Sequence, residues 1–247
     1  LTMATSQPPG NLGRSRRRYR WVGLDAGSHA LKLVDVEQTG TGVRLIKSLI
    51  QELPVAAAGA AVDRAGWLQS ALKEFDARDV HVSVGGPEVA IRRVHMPMMS
   101  KQELPEALKW QLKEQVPFSI TEAVIDFRVI GEVWEKDIKK QDVLAAAVPR
   151  EVLDALIGLI ERSGSHVASL VPTQAALWRC VTALVPDTRQ GSVAVIEIGA
   201  AETEVTIAKD GHIRVVRDLA VGSLTMTGSL IGVVASEAGE VTIDYAK

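Results

Sequence analysis

One cysteine, Cys180, stands in the 247-residue chain, so an internal disulfide is excluded and a reducing compartment is compatible. A single thiol amid "ALWRCVTAL" is expected to fill the core side of a helix rather than act as a nucleophile. No apolar run approaches the ~18 residues of a membrane span, and no signal-peptide pattern opens the chain, which reads as soluble and cytoplasmic. Charge of one sign is also missing: 28 basic against 30 acidic residues leave a formal charge of -2, with no global pull toward nucleic acid or a membrane surface. No G-x-G-x-x-G opens a helix, which argues against a dinucleotide-binding fold.

The sequence that is present has the makings of a well-buried core, being 47% hydrophobic and 23% charged. Its basic exception is local. "GRSRRRYR" gathers Arg14, Arg16, Arg17, Arg18 and Arg20 behind the breaker-rich "SQPPGNLG", and residues 1–20 are expected to form a solvated, flexible basic tail outside the fold. Beyond it, "WVGLDAGSHALKLVDVE" reads as a hairpin: an apolar strand ending in Asp25, a tip of Gly27, Ser28 and His29, and an alternating strand from Leu31 to Val36. A polar hairpin turn explains these residues; so does a phosphate clasp, because an Asp holds a hydrated cation and a Gly admits oxygens to backbone amides.

"VRLIKSLI" is the next strand, "DRAGWLQSALKEF" a helix with Trp67, Leu68, Ala71, Leu72 and Phe75 on one face, and "DVHVSVGG" another strand. This is an α/β order with a crossover helix on a mixed sheet. Then follow a strand ending near Met96, Met98 and Met99, and a helix carrying Leu104, Ala107, Leu108 and Leu112. Ser100 and Glu103 make a capping-box pattern for it, with Pro105 placed to bend its first turn. "VIDFRVIGEVWE" and "KQDVLAAAVP" form a strand pair, with the charged "EKDIKKQD" expected as a solvated loop. The helix "REVLDALIGLIERSG", the strand "HVASLVP" and the helix "TQAALWRCVTAL" lead to a turn-rich connector.

After the connector, "VIEIGAAETEVTI" repeats the grammar of "VGLDAGSHALKLV": apolar strand, acid, spacer, Gly, small residues, alternating strand. Two copies point to a duplicated phosphate-clasping fold. On "GLDAGSHALKLVDVE", "LKWQLKEQVPFSITEAVIDFRVIGE" and "RDLAVGSLTMT", the chain resembles the PilM family of type IV pilus assembly proteins, within the actin-like ATPase superfamily and similar to FtsA. The resemblance runs over roughly residues 21 to 247 and implies the α/β actin-like (ribonuclease H-like) fold with a small α+β inserted subdomain. It implies a first core subdomain over 21–84 and 168–190, an insert over 85–167 and the start of a second lobe over 191–247. Family members continue well past this C-terminus, so the second lobe, with the glycine motif for adenosine, is expected to be incomplete.

Carried over by motif, the resemblance makes ATP and Mg2+ the cofactors. Asp25 binds the metal through water, Gly27, Ser28 and His29 offer backbone donors, and Lys32 faces the phosphates or is simply solvated. Gly199, Ala200 and Ala201 form the second clasp, with Glu197, also a water-mediated metal contact, where the family usually has Asp. Val171 and Thr173 stand where the family commonly has acids, which leaves Gln174 as the candidate to position an attacking water. The implied function is a nucleotide-binding adaptor, at most a weak ATPase, cytoplasmic and peripheral to the inner membrane. Its partners are the short cytoplasmic tail of a PilN-like membrane protein and other pilus assembly proteins, with no nucleic acid and only indirect membrane association. The alternatives are a nucleotide-free scaffold and an active kinase or ATPase of the same superfamily, though no catalytic Asp in a sugar-site sequence is found.

Overall fold

The structure, a computed structural model, describes residues 19–40, 42–53, 63–185, 187–188, 190–230, 232–236 and 239–243. The arginines from Arg14 to Arg18 lie outside the described residues. Chain order begins β1 (Arg20–Ala26), β2 (Ala30–Thr39), β3 (Gly42–Glu52), α1 (Arg64–Glu74), β4 (Asp79–Val84), β5 (Ala90–Pro97) and α2 (Leu104–Leu112). It continues with β6 (Ala123–Glu135), β7 (Ile138–Pro149), α3 (Arg150–Arg162), β8 (His166–Pro172) and α4 (Thr173–Leu184). The last part holds β9 (Ser192–Ile198), β10 (Thr203–Lys209), β11 (His212–Leu219), α5 (Ser223–Leu230), β12 (Gly232–Ser236) and β13 (Gly239–Ile243).

The first sheet has the order β3-β2-β1-β4-β8. Its first three strands are an antiparallel meander, and β4 and β8 join parallel to β1. Alternation sends Leu31 and Leu33 inward, each fully buried, while Lys32 and Val34 between and beside them face out. Against Val22, Leu24, Leu31, Leu33, Val80 and Val82 pack Leu68, Leu72 and Phe75 from α1 and its C-terminal end and Leu153 and Ile160 from α3. Each such side chain contributes about 1.5–3 kcal/mol by leaving water. The expected helix face of α1 is therefore the buried one, and Asp63 caps it by accepting from Gly66 N–H at 2.9 Å. Arg20 belongs to β1 rather than to a tail: its guanidinium pairs with Asp35, a carboxylate with no exposure.

The insert is a three-stranded antiparallel sheet, β5-β7-β6, with Leu104, Leu108 and Leu112 of α2 packed on Val94, Met96, Val143, Ala145 and Ala147. Leu153 and Ile160 of α3 pack on the first sheet, in a cluster that also takes in Val148 of β7. The charged stretch after Glu135 is strand, not solvated loop. Lys136 and Asp137 take φ of 49° and 64°, the two-residue turn that matches strand twist, and Glu135 pairs directly with Ile138. Pro105 stands in the first turn of α2, where no amide bond is lost and no bend is needed. Ser100 and Glu103 do bond reciprocally, at 2.9 and 3.4 Å, in the turn that leads in. Met96 is core, Met99 packs on the same cluster and Met98 is exposed. Cys180 is exposed on α4, against the expected core position, because the buried side of that helix is the one carrying Gln174 and Trp178.

The second lobe repeats the opening meander as β11-β10-β9, all antiparallel, and β12 with β13 forms a separate hairpin. Ile213, Val216 and Ala208 of this lobe share one apolar cluster with Ile91 and Ala146 of the insert and Trp178 of α4.

Candidate functional site: a cleft between two hairpin tips

The register of β1 on β2 puts Asp25 opposite Lys32 and Ala26 opposite Leu31, leaving Gly27, Ser28 and His29 at the tip. Lys32 Nζ donates to Asp25 Oδ2 at 3.0 Å and stands 3.9 Å from Glu197 Oε1, so the lysine lies between the acids of both hairpins. Ser83 Oγ, on the parallel neighbour β4, donates to Asp25 Oδ1 at 2.7 Å and fixes the carboxylate's orientation. The tip amides divide. Gly27 N–H is spent on Ala30 O at 3.0 Å and Gly199 N–H on Glu202 O at 2.8 Å, so neither glycine is a free donor as expected. The amides of Ser28, His29, Ala200 and Ala201 make no hydrogen bond among the described residues.

The second tip is buttressed by α5. Ser223 N–H donates to Gly199 O at 2.8 Å and Leu224 N–H to Ala200 O at 3.0 Å. This approach requires Gly222, since a methyl group there would lie 2.3 Å from Ala200 O. The "AVGSLTMT" segment thus has a physical role that motif reading alone did not supply.

The same register aligns Glu197, Glu204 and Asp218 on neighbouring strands of the second sheet. Burial, then repulsion from Glu197, pushes the Glu204 carboxyl up to about 8, against one long amide bond of 3.5 Å from Gly86. Its Oε2 has no partner among the described residues. Glu204 reaches the first lobe because Gly85 has no side chain: a methyl there would sit 2.7 Å from Thr173 Oγ1 and 3.1 Å from Glu204 Oε1. Burial also raises Glu197, opposed by Lys32 and aided by Asp25, and raises Glu202, aided by Asp218 and Glu197. Asp218 is raised by burial and opposed by the hydrogen bond from Gln174. Gln174 is fully buried, gives Nε2 to Asp218 Oδ1 at 3.4 Å, and keeps Oε1 unpartnered among the described residues.

The structure therefore brings Asp25, Lys32, Glu197 and both tips together, with Gln174 linked to the second lobe. Ser83, Gly85, Glu202, Glu204, Asp218 and Gly222 were not singled out from sequence. The acids just beyond Gly199 and the glycine pair ending "DVHVSVGG" were the available signals. A nucleotide's phosphates fit the four free tip amides and Lys32. Among the described residues no three His, Cys, Asp or Glu side chains converge as metal ligands, so a divalent cation fits here only with its own water between it and Asp25 and Glu197.

A family model described as "Type IV pilus assembly protein PilM" matches residues 23–241. A solved PilM-PilN type IV pilus biogenesis complex is 24% identical with a TM-score of 0.69, over 86% of this chain and 65% of that one. The cytoplasmic domain of EpsL, an inner membrane component of the type II secretion system of Vibrio cholerae, is 15% identical with a TM-score of 0.54, over 89% and 76% of the two chains. A Bacteroides thetaiotaomicron protein described as having an actin-like ATPase fold is 6% identical with a TM-score of 0.49, over 85% and 74%. The chain thus spans 65% of the PilM-PilN relative's length. The fold is actin-like, with the insert in α+β form, and the chain belongs to the PilM family of type IV pilus assembly proteins.

Proposed function

We propose that this chain is the nucleotide-binding part of a cytoplasmic adaptor, peripheral to the inner membrane, that holds the short cytoplasmic tail of a PilN-like protein during pilus assembly. The observation that carries the nucleotide half is Lys32 standing between Asp25 and Glu197, with the amides of Ser28, His29, Ala200 and Ala201 unbonded among the described residues. In this reading Lys32 and those amides hold the phosphates, while Asp25 and Glu197 orient the water shell of Mg2+. Mg-ATP, when bound, would supply a polyanion that Lys32 and the amides of both tips would hold. Gln174 is the weak candidate for positioning water, and its amide is already engaged with Asp218. The partner half rests on membership of the family, on the neighbour that is a PilM-PilN complex, and on the insert's exposed tryptophans, Trp110 and Trp134.

A nucleotide-free scaffold is the second reading, favoured by the acids Glu202, Glu204 and Asp218 gathered where phosphates would lie. Calorimetry with Mg-ATP on the full-length protein separates the two. The adaptor reading expects binding in wild type and at least about tenfold weaker binding in Asp25→Ala, the loss of one charged partner at the site. Equal affinity in both proteins would remove the phosphate role of the first hairpin.

A further inference from the structure

A second charged feature lies outside the interlobe cleft. Edge strand β5 of the insert and edge strand β11 of the second lobe flank a recess of about 190 Å³ lined by Arg92, Arg93, Arg214 and Arg217. Two of the four share one acid. Arg93 grips Asp142 with both ends of its fork, Nε to Oδ1 at 2.6 Å and Nη2 to Oδ2 at 2.5 Å, and Arg214 Nη1 lies 3.7 Å from the same carboxylate. Arg92 and Arg217 form no ion pair among the described residues. Both are nonetheless held in place by carbonyls. Arg92 gives Nε to Gln115 O and Nη1 to Ile91 O, each at 2.9 Å, and Arg217 gives Nη1 to Val216 O at 3.0 Å.

Such an arrangement is costly when empty. The Arg92 guanidinium is held below its ordinary range by burial first and by Arg217 second, with only Asp218 drawing it the other way. Asp218, which also accepts from Gln174 Nε2 at 3.4 Å, is the one acid drawn to both Arg92 and Arg217 among the described residues, so two positive charges face a single negative one. Two oriented, like-charged forks with spare N–H groups, facing one recess, are the complement of an oxyanion that accepts from both.

We propose that the recess between β5 and β11 is a second anion site, taking a small phosphate-bearing anion held by Arg92 on the insert and Arg217 on the second lobe. The anion would bridge two parts of the molecule and fasten the insert to the second lobe. The site does not depend on the nucleotide reading of the hairpin tips.

Inorganic pyrophosphate without Mg2+, titrated by calorimetry at constant ionic strength, is the probe. Wild type and Arg44→Gln, changed on the distant edge strand β3, are expected to bind it equally, and Arg92→Gln and Arg217→Gln to bind it about tenfold more weakly or worse, as for the loss of a charge-assisted bond. Arg217 is exposed, so its variant should fold; the unfolding midpoint without anion checks this. Absence of binding to wild type overturns the proposal, as does equal affinity in folded Arg217→Gln. Loss of binding in Lys32→Ala would instead place the anion at the hairpin tips and overturn it too.

Discussion

Glu204 is a carboxyl group put where a carboxylate is costly: buried, opposite Glu197, with one long bond from Gly86. Its folded value of about 8 lies above the ordinary glutamate value of ~4.3, so the folded chain holds this proton more tightly than the unfolded one. The stability it contributes is whole below about pH 4.3, declines as pH rises, and is lost once pH passes about 8. Glu197, Glu202 and Asp218 are shifted in the same direction and add to the same decline. Glu204→Gln is expected to flatten the decline and to raise stability near pH 8 by on the order of 1–3 kcal/mol, while changing little near pH 4. Thermal unfolding across that range checks it; an unchanged slope in the variant would contradict the placement. Arg20→Ala, which leaves Asp35 buried without its partner, should cost about 1–3 kcal/mol at neutral pH, read by urea unfolding.

The hairpins are the elements most legible from sequence, because an acid and a glycine between an apolar run and an alternating run fix both turn and register. The row formed by Glu197, Glu204 and Asp218 was not legible for a related reason. It exists only through cross-strand pairing, and nothing local to Asp218 announces which residue of β10 stands opposite. Lys136 and Asp137 show the converse error: a charged run hid a two-residue turn whose left-handed backbone is set by strand twist rather than by composition. Gly222 belongs at this scale as well. Gly222→Ala forces α5 off the second tip and is expected to cost about 1–3 kcal/mol, with Mg-ATP affinity falling alongside stability. For the insert, a PilN-like tail peptide is expected to protect amides within residues 85–167 or 21–84 from hydrogen exchange. Protection confined to the second lobe would move the partner site there.

At the scale of the whole molecule, the order β3-β2-β1-β4-β8 and its partial repeat β11-β10-β9 follow from two copies of one sequence grammar. The placement of α3 on the first sheet did not follow, since an amphipathic helix shows that it has an apolar face and not which sheet that face meets. If the two tips close on Mg-ATP, a nucleotide at about 100 times its dissociation constant should stabilise the fold by about 2.7 kcal/mol. Turnover should stay far below the typical ~10 per second, because Gln174 is engaged with Asp218 and no carboxylate stands at Val171 or Thr173. Steady-state phosphate release near that rate would contradict this. The apolar cluster shared by Ile91, Ala146, Trp178, Ile213 and Val216 bears on how such closure can proceed. Swinging the second lobe away as a rigid door on loop hinges would tear that cluster open and wet it. A sliding shear, with β11 moving along the insert's sheet while these side chains stay in contact, keeps it dry, so tip closure and a change in the insert's position become one motion.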